Sequence, residues 1–397
     1  MYDVVCIGGA TQDVFVRSDL SKILNLRNLM TEEKYLAFDY GAKINVDDVI
    51  FMTGGGGTNT AVALSRLGLK STFLGKLGED EDGEKIVQEL KEEGVSTDLV
   101  VKSKRHRTGY SVILTSFEGD RTILTYRGAN NYLEEKDIHW DKLAQSEWFL
   151  ILSLTGTSNL TLEKMVEFAH INEIKIALNP GATQIRQRGL DGLKHVLAVT
   201  SILFLNKEEA TTLTGIQPSL WMIDENKCIG SETCVAVCPQ KLFVRRGGKT
   251  IITHQERCLR CELCVINCPT RAILIEPWAE FQDPLLKRLR AYGPKIVVVT
   301  DGNKGVQVYD GKYRYLMPPY AVSVASTLGA GDAFSSGFLA GFIKKNDLEY
   351  AIKAGSANAA SVITTFGAKK GLLKAEEIDG FIKKHEDETT KVRKETI

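Results

Sequence analysis

The sequence predicts an α/β protein with a mostly parallel sheet flanked by helices, and three observations support this prediction. Short apolar strands alternate with amphipathic helices towards both ends of the chain, as in VVCIGG near the start and KIVVV from Lys295. Predicted strands end in Gly, Asn or Thr before a helix, which puts polar and flexible groups at the carboxyl edge of the sheet, where ligands of such folds bind. Between Pro218 and Pro277 closely spaced cysteines replace this alternation, which indicates an insertion.

These changes of pattern divide the chain into parts. An α/β domain is predicted at 1–217 and 278–385. It is interrupted by an inserted domain at 218–277 and followed by a charged tail at 386–397. Within the α/β domain, shorter alternating runs at about 17–52 and 111–126 predict a small β lid over the sheet edge. We expect the charged tail to fray.

The composition excludes several classes of protein. Over 397 residues, 43% are hydrophobic and 25% charged, which is typical of a globular protein. Fifty basic side chains balance fifty acidic ones, so no overall field attracts nucleic acid or an anionic membrane. The apolar runs are strand-length, far below the ~20 residues of a spanning helix, and MYDVVCIGG lacks the basic region and cleavage site of a secretory signal. We therefore expect a cytoplasmic protein that binds neither nucleic acid nor membrane.

The stretch STLGAGDAFSSGFLAGFI predicts an anion site at the start of a helix. Gly329, Ala330 and Gly331 stand directly before Asp332 and a run of small and apolar residues. Free amide groups and the helix dipole favour negative charge there, and small residues let a phosphoryl group come close. A carboxylate beside such a site can accept a proton from a hydroxyl group. The alternative is that Asp332 only caps the helix.

A second glycine-rich stretch, TGGGGTNTAVALSRLG, also runs from a strand into a helix, with Asn59 in the first turn. Its alternative interpretation is a tight turn with Thr58 as the helix cap. The pattern GxxxxGK[ST] does not occur in the sequence, so a P-loop is not predicted.

Together the two motifs resemble those of the ribokinase-like, or pfkB-type, carbohydrate kinase family, over residues 1–217 and 278–380. The resemblance implies a ribokinase-like fold and an ATP-dependent transfer, with Mg²⁺, to a hydroxyl of a sugar. It implies that Asp332 is the catalytic base and that Gly329, Ala330 and Gly331 form the anion hole for the γ-phosphoryl group.

The resemblance also implies binding residues on both sides of that group. The implied contacts to the substrate are Thr11, Asp13, Gly55, Gly56 and Asn59. The implied nucleotide-binding residues are Asn206 and Glu209, which organise Mg²⁺ and phosphates through water, Thr300, Gly302 and Gly305 along the nucleotide, and Asn358 in the adenine pocket. For two of them plainer alternatives exist, because Asn206 could simply end a strand and Asn358 could be a satisfied polar group in a helix.

The sequence departs from the family pattern at two positions. Ser326 stands where many members have an Asp that belongs to a monovalent-cation site, and Thr155 stands where ribose-type members often have Glu. Potassium activation and a ribose substrate are therefore not predicted, and a nucleoside kinase on the same fold remains an alternative. In the phrase YRGAN, a substrate contact is open for Arg127, Gly128 and Asn130, although a solvated loop is favoured for Arg127.

Seven of the eight cysteines lie in the insertion. The run Cys258-x₂-Cys261-x₂-Cys264-x₃-Cys268-Pro269 is typical of bacterial ferredoxins, and residues 222–276 resemble an α+β two-cluster ferredoxin, whose end strands WMID and AILIEP would pair. The resemblance implies a complete 4Fe-4S cluster on Cys258, Cys261, Cys264 and Cys238.

The second cluster is predicted to be incomplete. It would use Cys228, Cys234 and Cys268, with Ser231 at the missing position, which favours a 3Fe-4S cluster or a 4Fe-4S cluster with a labile corner. Zinc and an empty second site are the alternatives. The module would sense redox state or pass electrons to a partner protein, and the rival hypothesis is an electron-transfer protein on an inactive kinase scaffold. The kinase resemblance further implies a homodimer formed through the lid.

Overall fold

The computed structural model describes residues 1–17, 22–27, 32–115, 121–216, 221–247, 249–253, 261, 263–275 and 278–397. The strands are β1 (Tyr2–Ile7), β2 (Thr11–Arg17), β3 (Lys22–Arg27), β4 (Glu32–Ala37), β5 (Asp48–Gly54), β6 (Ser71–Leu74), β7 (Lys76–Gly78), β8 (Val101–Ser103), β9 (Gly109–Thr115), β10 (Arg121–Tyr126), β11 (Ser146–Ile151), β12 (Lys175–Leu178), β13 (Ile202–Asn206), β14 (Trp221–Ile223), β15 (Phe243–Arg246), β16 (Lys249–Ile252), β17 (Ile273–Ile275), β18 (Ile296–Thr300), β19 (Val306–Tyr309), β20 (Tyr313–Met317) and β21 (Arg393–Thr396).

The α-helices are α1 (Gly56–Arg66), α2 (Glu81–Glu92), α3 (Trp140–Leu143), α4 (Leu162–Ile171), α5 (Gly181–Ala198), α6 (Lys207–Thr214), α7 (Thr233–Val237), α8 (Leu263–Ile266), α9 (Trp278–Ala291), α10 (Ala330–Lys345), α11 (Leu348–Val362) and α12 (Ala375–His385). Short 3₁₀ helices span Gly128–Tyr132, Glu135–Asp137, Gly156–Thr161 and Gly302–Lys304. No helix in these described ranges is both long and apolar enough to cross a bilayer.

The main sheet has the strand order β21-β20-β19-β18-β13-β12-β11-β1-β6. The strands from β18 to β6 pair in parallel, and β19, β20 and β21 add an antiparallel edge. Parallel strands end at one edge of the sheet, so the residues that follow them converge there. The predicted, mostly parallel α/β fold is confirmed.

Helices cover both faces of this sheet, and β1 shows why. Val4 and Cys6 belong to the core that includes α1 and α10, whereas Val5 and Ile7 belong to the core that includes α4 and α9. All four side chains are fully buried. Since successive strand residues point to opposite faces, the uninterrupted apolar run specifies a strand covered on both sides.

A second sheet has the order β10-β9-β2-β5. Its strands β5, β9 and β10 lie largely in the two segments predicted as the lid, whereas β2 comes before them and β3 and β4 pair separately. Its strand β2 starts only a few residues after β1, which ties this sheet to the carboxyl edge of the main one. At that end Thr11 pairs with Gly54 of β5 and with Gly109 of β9. The lid therefore begins beside the converging strand ends.

The insertion forms a small unit between α6 and α9. Its outer strands β14 and β17 pair antiparallel, as the resemblance to ferredoxins predicts, with Ile223 opposite Ile273. The strands β15 and β16 form a hairpin, and α7 and α8 pack together. A separate cluster of buried residues, which includes Leu242, Phe243 and Ile273, forms its core.

The expectation that the tail frays is wrong. Residues Arg393–Thr396 form β21, which pairs antiparallel with β20 at the edge of the main sheet. Arg314 on β20 binds the carboxylates of Glu395 and Asp283. The charged composition alone predicts a frayed end, but the edge strand β20 offers main-chain groups to pair with, and Arg314 binds an acidic side chain of the tail there.

Candidate active site

A cavity of about 340 Å³ opens at the carboxyl ends of the parallel strands. It is lined from strand ends and helix starts by Gly9, Thr11, Gly55, Gly56, Arg127, Asn130, Leu152, Ser153, Asn179, Gly181, Phe204, Leu205, Asn206, Glu209, Thr300, Gly331, Asp332 and Phe334. The position is the one that the strand-end pattern predicts. Many of the predicted site residues are among these lining residues.

The start of α10 forms one wall of this cavity. Gly329 precedes the helix in a left-handed conformation, with φ 76°, and a Cβ there would lie 2.6 Å from Cβ of Ala368. A Cβ at Gly331 would meet nothing within 4 Å, so its main chain faces open space. Ala330 is the first residue of the helix. The small residues thus leave the first-turn amide groups accessible to an anion.

Asp332 follows in the same turn and lines the cavity. Its Oδ2 accepts a hydrogen bond of 2.8 Å from Nδ2 of Asn59 on α1. Burial raises the pKa of Asp332, and the hydrogen bond from Asn59 and the charge of Lys369 oppose this rise. The carboxylate is therefore oriented by a neutral donor and has a raised basicity, which suits a general base.

The start of α1 faces the start of α10. A Cβ at Gly56 would lie 3.4 Å from Oδ1 of Asp332, and Gly55 has φ 96° with space for no Cβ, because Gly9 O would be 2.5 Å away. Asn59 is 5% exposed and does not line the cavity; its Oδ1 has no hydrogen-bond partner in the described part of the chain. It therefore fixes Asp332 and keeps one acceptor atom unused.

The start of strand β2 supplies Thr11 and Asp13. Thr11 lines the cavity, while Asp13 is 8% exposed and lies behind it. Burial raises the pKa of Asp13, and hydrogen bonds from the hydroxyl groups of Thr11 and Ser111 lower it. The two residues are thus linked, as their common predicted role requires.

Two further residues of this side come from the phrase YRGAN. Asn130 is 9% exposed and clamps Ala10, with Oδ1 accepting from Ala10 N at 2.9 Å and Nδ2 donating to Ala10 O at 2.8 Å. Arg127, for which a solvated loop was favoured, has an exposed side chain but lines the cavity. Among the residues that line this cavity, Arg127 carries the positive charge. Its position in a loop gave no sequence signal for this placement.

Asn206 and Glu209 form a capping box at the start of α6. Oδ1 of Asn206 accepts from Glu209 N, and Oε2 of Glu209 accepts from Asn206 N, both at 2.9 Å. Burial raises the pKa of Glu209, and hydrogen bonds from the amides of Asn206 and Ala182 lower it. Both residues line the cavity. Asn206 can therefore end strand β13 and also contribute to a binding site.

The remaining predicted nucleotide residues divide into two groups. Thr300 ends β18 and lines the cavity. Gly302 and Gly305 bracket the following turn and are not among the lining residues; a Cβ at Gly305 would lie 2.1 Å from Met317 O, which explains that glycine by packing.

The side chain of Asn358 is fully buried, Nδ2 donates to Ala333 O at 2.9 Å, and Oδ1 accepts from Leu373 N at 3.0 Å. The amide joins α11 to α10 and to the segment before α12, because a buried amide needs partners for both of its polar atoms. This arrangement fits the plainer alternative, and the role of Asn358 in an adenine pocket stays a prediction.

Sequence reasoning missed several residues of this cavity. Ser153 and Asn179 follow the ends of β11 and β12, Phe204 lies within β13, and the order of strands in the sheet brings the three together. A polar residue after a strand end is the signal that Ser153 and Asn179 share. Lys369, which lies near both Asp13 and Asp332, carries no motif at all.

The cysteines of the insertion lie around its small core. Among the described residues no three His, Cys, Asp or Glu side chains are grouped so as to hold a metal ion. Cys258 lies outside the described residues. Burial raises the pKa of Cys234, and the charges of Cys228 and Cys268 add to this rise, so the three cysteines assigned to the incomplete site are electrostatic neighbours. In the described part of the chain, Cys238, Cys261 and Cys264 form no disulfide bond.

Comparison with known proteins agrees with the fold and with the two glycine motifs. A model of the family described as "pfkB family carbohydrate kinase" matches residues 25–255 and 254–375. A ribokinase of Haemophilus influenzae is 26% identical over 332 residues, which cover 83% of this chain and 87% of that protein.

Two solved structures have the same fold. A ribokinase of Arabidopsis thaliana complexed with ribose and ATP superposes with a TM-score of 0.67 at 19% identity, covering 96% of this chain and 99% of that one. A nucleoside kinase of Methanocaldococcus jannaschii, of the ribokinase family, superposes with a TM-score of 0.63 at 19% identity, covering 97% of this chain and 99% of that one. The chain belongs to the pfkB family of carbohydrate kinases.

Proposed function

We propose that this protein transfers the γ-phosphoryl group of ATP to a hydroxyl group of a sugar or related small molecule. One observation carries the proposal: Asp332 lines the cavity in the first turn of α10, directly beside the uncovered main chain of Gly331. A base and an anion site that share one helix start are the two elements that phosphoryl transfer to an alcohol requires. Family membership and the ATP bound to the Arabidopsis ribokinase support ATP as the donor.

In this mechanism Asp332 accepts the proton of the acceptor hydroxyl as its oxygen attacks the γ-phosphorus. Asn59 keeps the carboxylate in place through its 2.8 Å hydrogen bond. Amide groups at Gly329, Ala330 and Gly331 stabilise the charge on the transferred group. Positioning of this kind supplies most of the rate enhancement in phosphoryl transfer.

The acceptor occupies the lid side of the cavity. Thr11 binds its hydroxyl groups from the cavity wall, and the glycines at 55 and 56 let it approach the main chain. For Asp13, which lies behind the wall, the family resemblance supports a contact to the same hydroxyl groups. Asn130 holds the turn before Thr11 through two hydrogen bonds to Ala10. A set of short polar side chains and bare main chain suits a ligand with several hydroxyl groups.

The nucleotide occupies the side formed by Asn206, Glu209 and Thr300. Magnesium favours oxygen ligands and keeps several waters. The oxygens of Asn206 and Glu209 already accept main-chain hydrogen bonds, which supports a role through bound water rather than direct ligation. When bound, the ion would neutralise phosphate charge, and the two residues would orient its waters.

The test is ADP release from ATP with a panel of sugars and nucleosides, using Asp332→Asn as the matched control. At least one acceptor should support turnover, and the variant should lose roughly 10²- to 10⁴-fold in kcat. Turnover with nucleosides alone would favour a nucleoside kinase, an alternative that is consistent with the fold shared with the Methanocaldococcus enzyme. No release with any acceptor would favour an electron-transfer protein on an inactive scaffold.

We further propose that the insertion is a ferredoxin-like module that holds iron-sulfur clusters. Sγ of Cys268 accepts a hydrogen bond from Ala272 N at 3.2 Å, and Sγ of Cys238 accepts from Leu242 N at 3.5 Å. The amides of Ala272 and Thr270 lower the pKa of Cys268 although burial opposes them. Amide donors to sulfur stabilise the thiolates that cluster irons require and tune their potential.

The two halves of the insertion are built alike. Lys241 and Arg271 stand at the same distance after Cys238 and Cys268, and both adopt a left-handed conformation, with φ 52° and 51°. Such a repeated conformation in two non-glycine residues supports two equivalent binding loops. Iron and zinc analysis with electron paramagnetic resonance of anaerobically purified protein tests the proposal; zinc without iron would contradict it.

The module transfers electrons to a partner protein or senses redox state and adjusts the kinase. Helix α6 supports the second role, since it starts with Asn206 at the cavity and ends directly before the insertion. Redox sensing predicts different kcat or KM values for oxidised and reduced protein with intact clusters. Equal values would leave electron transfer as the role of the module.

We also propose a homodimer formed through the lid. Its edge strands expose large apolar side chains, with Phe51 66% and Val49 40% exposed on β5, and Leu124 57% and Tyr126 53% exposed on β10. Exposed apolar edge strands favour pairing with a second copy. Light scattering should give a dimer for the wild type and a monomer for Phe51→Glu; a monomeric wild type would contradict the proposal.

A further inference from the structure

A buried lysine outside the predicted site lies next to the substrate side of the cavity. Only 7% of the Lys369 side chain is exposed. Its ammonium nitrogen lies 2.6 Å from Oγ1 of Thr53 and 3.0 Å from Oε2 of Glu89. Lysine is rarely buried unless it is paired, because desolvation of the charge is costly. A buried charge at this place therefore needs an explanation in terms of its neighbours.

The residue that Lys369 holds is adjacent to the substrate site. Thr53 precedes Gly54, and a Cβ at Gly54 would lie 2.0 Å from Oδ2 of Asp13. The carboxylate of Asp13 thus lies directly against the main chain that the ammonium group holds through Thr53. Displacement of that strand end would move the surface on which Asp13 rests.

The loop that carries Lys369 also supports the phosphate side. Ala368, its neighbour, packs against Gly329, the residue that precedes α10. Arg66 on α1 donates to the carbonyl oxygen of Lys369 at 2.8 Å and forms an ion pair with Glu93. One anchored loop therefore contacts both the lid strand beside Asp13 and the start of the anion site.

We propose that Lys369 is a positioning residue for phosphoryl transfer, an inference that rests on the proposed function. Its ammonium group holds Thr53 and so the strand end against Asp13. Its positive charge also favours the ionised form of the nearby carboxylates of Asp13 and Asp332.

The charges around Lys369 support this role. Burial raises the pKa of Asp13 and of Asp332, and the charge of Lys369 opposes both rises. Burial lowers the pKa of Lys369 itself, and Glu89 opposes that fall. The buried thiol of Cys6 also faces Asp332, but burial raises its pKa to about 12, so it carries no charge at neutral pH. The charged groups around Lys369 are Glu89, Glu93, Asp13 and Asp332, with Arg66, Lys85 and Lys370 at the adjoining cavity.

The test compares the pH dependence of kcat/KM for ADP formation in Lys369→Met and Glu89→Gln. Loss of the positive charge should move the acidic limb of the profile to higher pH, by about one unit. Loss of the opposing negative charge should move it to lower pH. Lys370→Met, which removes an exposed lysine of the same loop, is the matched control and should keep the wild-type profile.

A purely structural role for Lys369 would lower rates or melting temperatures without opposite shifts of the acidic limb. Two shifts in the same direction, or unchanged profiles in folded variants, would overturn the inference while the kinase activity stands. If Lys369→Met does not fold, the shift of Glu89→Gln alone decides. A wild type that releases no ADP with any acceptor would overturn the proposed function and this inference with it.

Discussion

The substitution Gly331→Ala separates folding from phosphate binding at the start of α10. A Cβ at this position would meet nothing within 4 Å, and the residue is exposed where it lines the cavity. The added methyl group therefore enters the space proposed for the γ-phosphoryl group and displaces no protein atom. We expect a folded protein with an impaired anion site.

For Gly331→Ala we expect the melting temperature and kcat to change in opposite directions. Replacing glycine by alanine in a helix stabilises it by up to about 1 kcal/mol, so the melting temperature should stay equal or rise. The methyl group should keep the transferred group from reaching its main-chain donor, and the loss of one such contact reduces kcat by about 100- to 1,000-fold, which corresponds to about 2.7–4 kcal/mol. Thermal unfolding and steady-state ADP release at saturating acceptor measure the two quantities.

The matched contrast is Gly329→Ala, two residues earlier. There φ is 76° and the new Cβ would lie 2.6 Å from Cβ of Ala368. Left-handed backbone and overlap should destabilise the protein by about 2 kcal/mol or more. If Gly331→Ala keeps its kcat within about threefold of the wild type at an unchanged melting temperature, the phosphoryl group does not bind at this helix start, and the reasoning fails.

Three further predictions concern other parts of the molecule. Asp332→Asn should raise the melting temperature at neutral pH while kcat falls. Burial raises the pKa of this carboxyl, so its contribution to stability is greatest below its unfolded pKa and is lost as pH rises through the folded pKa. At neutral pH the neutral amide of Asn avoids this loss. An unchanged or lower melting temperature would contradict this. Ser231→Cys should add about one iron per chain and remove the three-iron resonance signal; unchanged iron content would argue against an incomplete second cluster. Removal of residues 391–397 should destabilise the protein by about 1–2 kcal/mol through loss of β21, as urea unfolding would measure; unaltered stability would mean that the strand does not pair in solution.

The sequence predicted most of the fold and the centre of the site, for local reasons. The alternation of strands and helices, with polar residues at strand ends, locates the cavity, because parallel strands end together. Asp332 stands in a motif in which the glycines, the carboxylate and the helix are contiguous. Such features need no knowledge of distant contacts.

The sequence could not show the contacts of residues whose surroundings come from distant parts of the chain. Asn358 is satisfied by Ala333 and Leu373, and nothing in its own segment indicates that both atoms are used. Lys369 is held by Thr53, more than three hundred residues earlier. The charged composition of the tail predicts a frayed end, but residues Arg393–Thr396 pair with the edge strand β20.

The position of the insertion explains how a kinase domain accommodates it. Helices α6 and α9 pack against each other. The two ends of the chain segment that joins them are therefore close together, whatever the length of that segment. The ladder of β14 and β17 brings the ends of the insertion together, and closing a longer loop adds little entropic cost. The same arrangement leaves only α6, eight residues and about 12 Å long, between Asn206 at the cavity and the root of the insertion. A shift of this one helix would disturb the capping box at its start, so any redox control of the kinase should act on nucleotide binding before it acts on the acceptor.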